Sequence, residues 1–206
     1  TFHWPASLSI VAAGCVGALL SLIIGVPSLR LKGLYLAIAT MGFTFIVDDA
    51  IRFFSAWTHG VEGFRVSRVV DFGFMELHSG KTGFYYFLYT LVIVLAVFSR
   101  FLLHSKLGRA FTSIRDSETA AEVSGINLLL YKVLAFGISS FMAAVAGALM
   151  GMIIGTISPE DFNILLSIDF LVMLVIGGMG AVYGAAIGAF FITFLPEGIT
   201  TLRDAF

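Results

Sequence analysis

Charge is scarce in this sequence of 206 residues. Only 12% of the residues are Asp, Glu, Lys or Arg, whereas about 25% is usual in soluble domains. So few charges cannot cover a surface that faces water, so most of the exterior must contact an apolar medium. This scarcity excludes a soluble enzyme and a disordered chain. The net charge of −1 gives no electrostatic footprint for binding nucleic acid.

Cysteine and histidine are also rare. The single cysteine, Cys15, cannot form an intrachain disulfide, which excludes a disulfide scaffold. The four histidines, His3, His59, His78 and His104, are dispersed without the i, i+4 spacing or cysteine partner typical of a metal site. We therefore expect no metal site.

A possible nucleotide motif at Gly80-Lys81-Thr82 is incomplete. A phosphate-binding loop requires a glycine five residues before Gly80, and that residue is Met75. No Gly-x-Ser-x-Gly motif for a catalytic serine is present. The sequence therefore predicts no catalytic residue and no cofactor bound by this chain.

Apolar runs dominate instead, since 59% of the residues are hydrophobic. A helix needs about 20 apolar residues to cross about 30 Å of hydrocarbon. The runs predict an all-α, polytopic transmembrane helix bundle with about six spans, forming a single domain over residues 1–206. The spans are predicted at residues 6–26, 33–47, 83–103, 133–157, 164–176 and 185–195. Whether residues 177–184 form a tight turn or a broken helix stays open.

Basic residues collect on one side of the predicted bundle. The segments 27–33 and 100–132 contain Arg30, Lys32, Arg100, Lys106, Arg109, Arg115 and Lys132. By the positive-inside rule this side is cytoplasmic. Residues 48–82 and 158–163 then form loops on the opposite, periplasmic side.

Two patterns inside the spans suggest roles in packing or transport. Small residues recur every fourth position, at Ser139, Ala143, Gly147, Gly151 and Gly155, and again at Gly180, Gly184 and Gly188. Such stripes allow helix backbones to approach closely in lipid; the alternative is a ridge that slides during a transport cycle.

Asp169 is the one carboxylate within an apolar span, which makes it a candidate for the transport pathway, with an interfacial structural role as the alternative.

The cytoplasmic loop, residues 104–132, has the pattern of ordered helices. We expect residues 106–115 to extend the preceding helix with a basic face, and Asp116 or Ser117 to cap a short helix over 119–124. Gly125 can adopt the positive φ that ends a helix, and Asn127 can cap the next one. The result is a helix of about two turns that is suited to docking on a partner. The alternative is a solvated connecting loop.

The order Ala120-Ala121-x-x-x-Gly125 resembles the Glu-Ala-Ala-x-x-x-Gly signature of ABC importer permeases, with Thr119 in the place of Glu. The wider string from Gly108 to Lys132 is similar to the permeases of the high-affinity branched-chain amino acid transporter family, in the "M"-type subunit. Segments 29–40, 157–160 and 167–180 match as well, so the resemblance covers about residues 5–200.

The resemblance implies a multi-pass permease subunit of the bacterial inner membrane that imports branched-chain or other hydrophobic amino acids. Its implied partners are a second homologous permease, two cytoplasmic ATPase subunits that bind ATP and Mg, and a periplasmic substrate-binding protein. The residues we assign to ATPase coupling are Arg109, Arg115, Asp116, Glu118, Ala120, Ala121, Glu122 and Gly125.

Other functions are compatible with parts of the sequence. A urea or short-amide permease of the same family is one, and an ATP-independent channel or secondary carrier is another. An integral-membrane enzyme would require clustered His, Asp or Glu at a membrane face. Family members also carry further N-terminal spans and an Arg-Pro-Gln-Gly-like tail, so we expect this chain to be a piece of a longer protein.

Overall fold

The structure is a computed structural model that describes residues 6–28, 34–55, 60, 63–66, 69–71, 76–78, 82–178 and 180–204. Its helices are α1 (Ala6–Ser28), α2 (Leu34–Phe53), α3 (Thr82–His104), α4 (Lys106–Asp116), α5 (Glu118–Val123), α6 (Leu128–Ile154), α7 (Ile164–Gly177) and α8 (Val182–Asp204). Short strands are β1 (Phe64–Arg65), β2 (Val69–Asp71), β3 (Glu76–His78) and β4 (Thr156–Ile157), and a 3-10 helix covers Pro159–Phe162.

The predicted helical membrane class is confirmed, but six spans are not. Among the described residues, α3 and α6 are long and apolar enough to cross a membrane, and a third span results if the bent pair Pro159–Gly177 and Val182–Pro196 is counted as one. The 14 residues of α7 extend only about 21 Å at about 1.5 Å per residue, short of the about 30 Å of hydrocarbon. The other predicted spans stay predictions.

Several predicted element ends are wrong. The second helix continues through Asp48 to Phe53, and Arg52 Nε donates to Asp48 Oδ2 at 3.2 Å across its last turn. The helix α6 begins at Leu128, directly after the predicted Asn127 cap, but it ends at Ile154 and not at residue 157, because Gly155 adopts φ 83° and terminates it. The last helix passes through Pro196 to Asp204, which is tolerated because a proline removes one N–H and neighbouring groups can satisfy the freed carbonyl.

The part of the chain up to Ser158 forms one compact unit in which α6 is flanked by two antiparallel helices. Along α1, Gly17 lies against Ala144, Leu22 against Gly137 and Gly25 against Phe136, so α1 and α6 run in opposite directions. Along α3, Phe84 belongs to the core around Leu149 and Met152, and Ser99 Oγ lies 3.8 Å from Met142 Sδ. The C-terminal ends of α1 and α3 therefore share one end of the unit with the start of α6.

Helix α1 contacts a different face of α6 from the predicted small-residue stripe. Gly17 lies against Ala144, and a β-carbon added to Gly17 would lie 3.2 Å from the Ser140 carbonyl oxygen; Leu22 approaches Gly137. Ser139 and Ala143 of the stripe are exposed in this unit. Further along, Gly151 is buried under the side chain of Ile157, whose Cγ1 would lie 2.6 Å from an added β-carbon.

The opposite end of the unit holds short strands where a loop over residues 48–82 was predicted. Strand β1 pairs antiparallel with β4, with Phe64 opposite Ile157, and Val66 N donates to Gly155 O at 3.0 Å. Strands β2 and β3 form a second antiparallel pair. The all-α prediction missed these pairs because two or three residues are too short to show alternation; Gly63 and Gly155, both at positive φ, supply the sharp turns.

The second unit, residues 159–206, is built on α7 and α8. The two helices are bent by 118° relative to each other, and Gly178 and Gly180 adopt φ 96° and 101° between them. Gly184 and Gly188 of α8 lie directly on the α7 backbone, at the carbonyls of Gly177 and Met173. At the junction that the sequence left open, the chain thus turns sharply and the two helices meet through glycine.

Candidate functional site

The loop between α3 and α6 begins with a sharp corner at Ser105. Its Oγ donates to Leu102 O at 2.6 Å and accepts from the backbone N–H groups of Leu107 and Gly108 at 3.2 and 3.3 Å. Gly108 is buried against the carbonyls of Leu102 and Leu103. The prediction that residues 106–115 continue the preceding helix is therefore wrong: Ser105 ends α3 and starts α4 in a new direction.

A second serine joins α4 to α5. The Ser117 N–H donates to Ser113 O at 3.0 Å, which closes α4, and Ser117 Oγ accepts from Ala120 N at 3.3 Å, which opens α5. Of the two predicted caps, Ser117 is the one observed, and Asp116 is the last residue of α4. One residue thus fixes the angle between the two helices.

The end of α5 is closed by a Schellman motif. Gly125 adopts φ 83°, its N–H donates to Glu122 O, and the Ile126 N–H donates to Ala121 O, both at 3.0 Å. Asn127 Oδ1 then accepts from Leu130 N at 3.2 Å and caps α6. The predicted short helix, its glycine terminator and the Asn127 cap are all present.

Three contacts attach α5 and its neighbours to the bundle. Ala121 is only 2% exposed. Glu118 Oε1 accepts from Lys132 Nζ of α6 at 2.6 Å, and the rings of Phe111 and Tyr131 meet edge to face with centroids 6.3 Å apart. The two predicted alanines therefore differ in role, since Ala120 is exposed while Ala121 is buried.

The outward surface of α5 is apolar at its tip. Val123 is 91% exposed, and Glu122 and Gly125 beside it are exposed as well. Our sequence interpretation missed Val123, and it counted Lys132 only among the basic residues of the loop. A helical wheel would have found Val123, because two residues correspond to about 200° of rotation, so burying Ala121 turns Val123 outward.

The remaining charged residues assigned to coupling lie along α4. Arg109 is exposed, and its Nη1 donates to His104 O at 3.4 Å. Arg115 pairs with its neighbour Asp116 at 3.3 Å, and both side chains are about two-thirds exposed, at 68% and 66%. This pair lies within one helix and therefore does not connect the loop to α6.

The other residues singled out in the sequence belong to other elements. Asp169 is exposed on α7, five residues after its start. Of the packing glycines, Gly147 is half-buried, Gly151, Gly155, Gly184 and Gly188 are buried, and Gly180 is exposed. Within the described part of the chain, no group of three or more His, Cys, Asp or Glu side chains could hold a metal ion.

These features define an integral membrane subunit with a preformed, rigidly attached helix projecting from one end of its bundle. Residues 2–204 match the sequence profile of the family described as "Branched-chain amino acid transport system / permease component", and the chain belongs to that family. The relatives that it matches are inner-membrane transport permeases rather than enzymes.

The curated relatives agree with this family. The chain is 34% identical over 199 residues to the high-affinity branched-chain amino acid transport system permease protein LivM of Salmonella typhimurium, and 33% identical to LivM of Escherichia coli, in each case over 86% of this chain and 47% of the relative. It is 30% identical over 121 residues to the ribose import permease protein RbsC of Haemophilus influenzae, over 56% of this chain and 37% of the relative. No solved structure matches the chain.

The chain spans about half the length of the LivM proteins that it matches, 47% in both cases.

Proposed function

We propose that this chain forms part of the membrane pathway of an ATP-driven importer for branched-chain or other hydrophobic amino acids, and that α5 is where the ATPase binds. The observation that carries the proposal is the apolar tip of α5: Val123 is 91% exposed on a helix whose two ends are capped and whose inner face is buried. An exposed valine on a rigid base suits a groove in a protein partner, because little entropy is lost on docking.

The proposed partners follow from the family and from what this chain provides. A second homologous permease completes the bundle, two cytoplasmic ATPase subunits bind ATP and Mg, and a periplasmic binding protein delivers the substrate. Five basic residues near the α5 end of the first unit support a cytoplasmic location for the docking helix; they are Arg100, Lys106, Arg109, Arg115 and Lys132. Asp169 is the proposed polar group of the pathway.

The docking role is tested by placing a charge at the tip of α5. We expect Val123→Asp to remove the ATPase from the detergent-purified complex while the permease still inserts, because an unpaired carboxylate would be buried in the interface. The loss should be at least about tenfold in the amount of ATPase recovered, since burying an unpaired charge costs several kcal/mol. The measurement is a mild-detergent pull-down of the full-length protein with quantitative mass spectrometry.

The matched control is Val123→Leu, which keeps an apolar tip and should retain the ATPase. Equal recovery of the ATPase with Val123→Asp and with the wild type would contradict docking through α5. A wild-type chain recovered without any ATPase would instead favour a channel or a secondary carrier.

The substrate class is tested by competition. We expect unlabelled leucine, isoleucine and valine to suppress the uptake of labelled leucine into proteoliposomes that contain the complete transporter and its binding protein. Ribose and urea serve as the controls, because relatives of this chain include a ribose import permease and because urea permeases resemble the family. Suppression by ribose or urea but not by valine would overturn the amino acid assignment.

A further inference from the structure

The most specific contact in the loop joins α5 to the membrane helix behind it. We propose that the ion pair between Glu118 and Lys132 is a strut that passes a displacement of α5 to α6, so that both are positioning residues for transport. This inference rests on the proposed docking role of α5 and assigns the part of that site which transmits the motion.

The geometry of the pair distinguishes it from ordinary surface ion pairs. Lys132 Nζ lies 2.6 Å from Glu118 Oε1, and the side chains are 24% and 39% exposed. The two residues are 14 positions apart in sequence and belong to different helices. Partial burial reduces the screening by water, so the attraction is stronger than in an exposed pair.

Both ends of the strut are held rigidly. Glu118 is the first residue of α5, directly after the Ser117 cap, and Lys132 lies in the first turns of α6, after the Asn127 cap and next to Tyr131, whose ring contacts Phe111. The short connection between the helices is closed by the hydrogen bonds of Gly125 and Ile126. Because these contacts hold both helix ends and the connection between them, a displacement of α5 should move Lys132 as well.

Helix α6 can carry such a displacement across the bundle. It packs along α1 through Phe136, Phe141 and Ala144 and along α3 through the core around Phe84. Close-packed helices of this kind shift as units rather than deforming continuously. A force applied at Lys132 therefore acts on α6, the helix that contacts both α1 and α3 in this unit.

The chain offers a matched control outside the coupling loop. Asp48 and Arg52 also form an ion pair, at 3.2 Å, but both belong to α2, where their side chains are 37% and 40% exposed. Neutralising this pair removes charge from the protein without disconnecting α5 from α6. An effect that depends on total charge would appear in both pairs, whereas an effect of the strut would appear in one.

The test uses the complete transporter, reconstituted in proteoliposomes from the full-length permease, its permease and ATPase partners and the binding protein. The quantity measured is the number of labelled leucine molecules imported per ATP hydrolysed. We expect Glu118→Gln and Lys132→Gln each to lower this ratio about fivefold or more, in the range of typical coupling energies between sites. The ATPase should still co-purify with both variants.

Two further variants separate a strut from local structure. The double variant Glu118→Gln with Lys132→Gln should lower the ratio no more than either single change, because residues that act as one pair are not additive. The exchanged pair, Glu118→Lys with Lys132→Glu, should return the ratio to within about twofold of the wild type, and Asp48→Asn should leave it unchanged.

The outcomes that overturn the proposal are distinct from those that overturn the docking role. An unchanged ratio in Lys132→Gln, or losses that add in the double variant, would overturn the strut while ATPase binding persists. Loss of the ATPase from Glu118→Gln but not from Lys132→Gln would assign Glu118 to the docking surface instead of the strut. A wild-type complex without ATPase would overturn the docking role, and the strut with it.

Discussion

Replacing Gly108 by alanine is expected to destroy the corner between α3 and α4. A β-carbon at this position would overlap the backbone of Leu103 and lie 2.5 Å from the carbonyl oxygen of Leu102. Backbone atoms in two capped helices cannot move aside as a flexible side chain would. The cost should reach about 3 kcal/mol, the upper end of the usual range for overpacked sites, so less folded protein should be recovered from the membrane fraction.

The measurement is the thermal unfolding midpoint of the detergent-solubilised protein, which should fall by on the order of 10 °C. Gly137→Ala on α6 is the matched control, because Leu22 Cδ2, at 3.7 Å, is the one neighbour that its β-carbon would meet among the described residues. That change should be neutral or slightly stabilising, since alanine is about 1 kcal/mol better than glycine in a helix. Equal unfolding midpoints for Gly108→Ala and Gly137→Ala would contradict the close contact between Gly108 and the end of α3.

Replacing Gly188 by alanine is expected to separate α7 from α8. The added β-carbon would overlap the carbonyl oxygen of Met173 and lie 2.8 Å from its carbonyl carbon and 3.1 Å from Gly177 N. All of these are backbone atoms, so relief requires the two helices to move apart. If α7 and α8 open as a unit, a destabilisation of about 3 kcal/mol corresponds to about 100-fold faster hydrogen exchange of their backbone amides.

Hydrogen exchange of the α7 and α8 amides in the detergent-purified protein measures this effect. Gly42→Ala on α2 is the control, because no described atom beyond the backbone of its own helix and its chain neighbours lies within 4 Å of its added β-carbon, and it should leave the exchange of α7 and α8 unchanged. If Gly188→Ala exchanged at the wild-type rate, the helices would not meet through this glycine in the membrane.

The loop between α3 and α6 was predictable where single residues carry local information. Serine, glycine and asparagine have strong positional preferences at helix ends, so the short helix, its glycine terminator and the Asn127 cap could be inferred from sequence. The change of direction at Ser105 could not, because it depends on whether Gly108 reaches the Leu102 and Leu103 carbonyls. That is a contact between two helices and not a property of either one.

The packing of the small residues was also predictable only in part. Their spacing indicated close helix packing, but a four-residue repeat fits more than one partner. In the structure, α1 lies along Gly137, Ser140 and Ala144, one position from Ser139 and Ala143 of the predicted stripe. Neighbouring stripes on one helix differ by about 100° of rotation, and only the three-dimensional arrangement decides which of them meets α1.

The sequence by itself determined the membrane class, the family and the presence of a capped helix in the basic loop, because composition and capping act within a few residues or over the chain as a whole. Only the tertiary structure decided that Ala121 faces inward while Val123 faces outward, and that Glu118 meets Lys132 on α6. These pairings depend on the rotation of one helix against another. That rotation is set by packing at both ends of the loop, and no local pattern of residues encodes it.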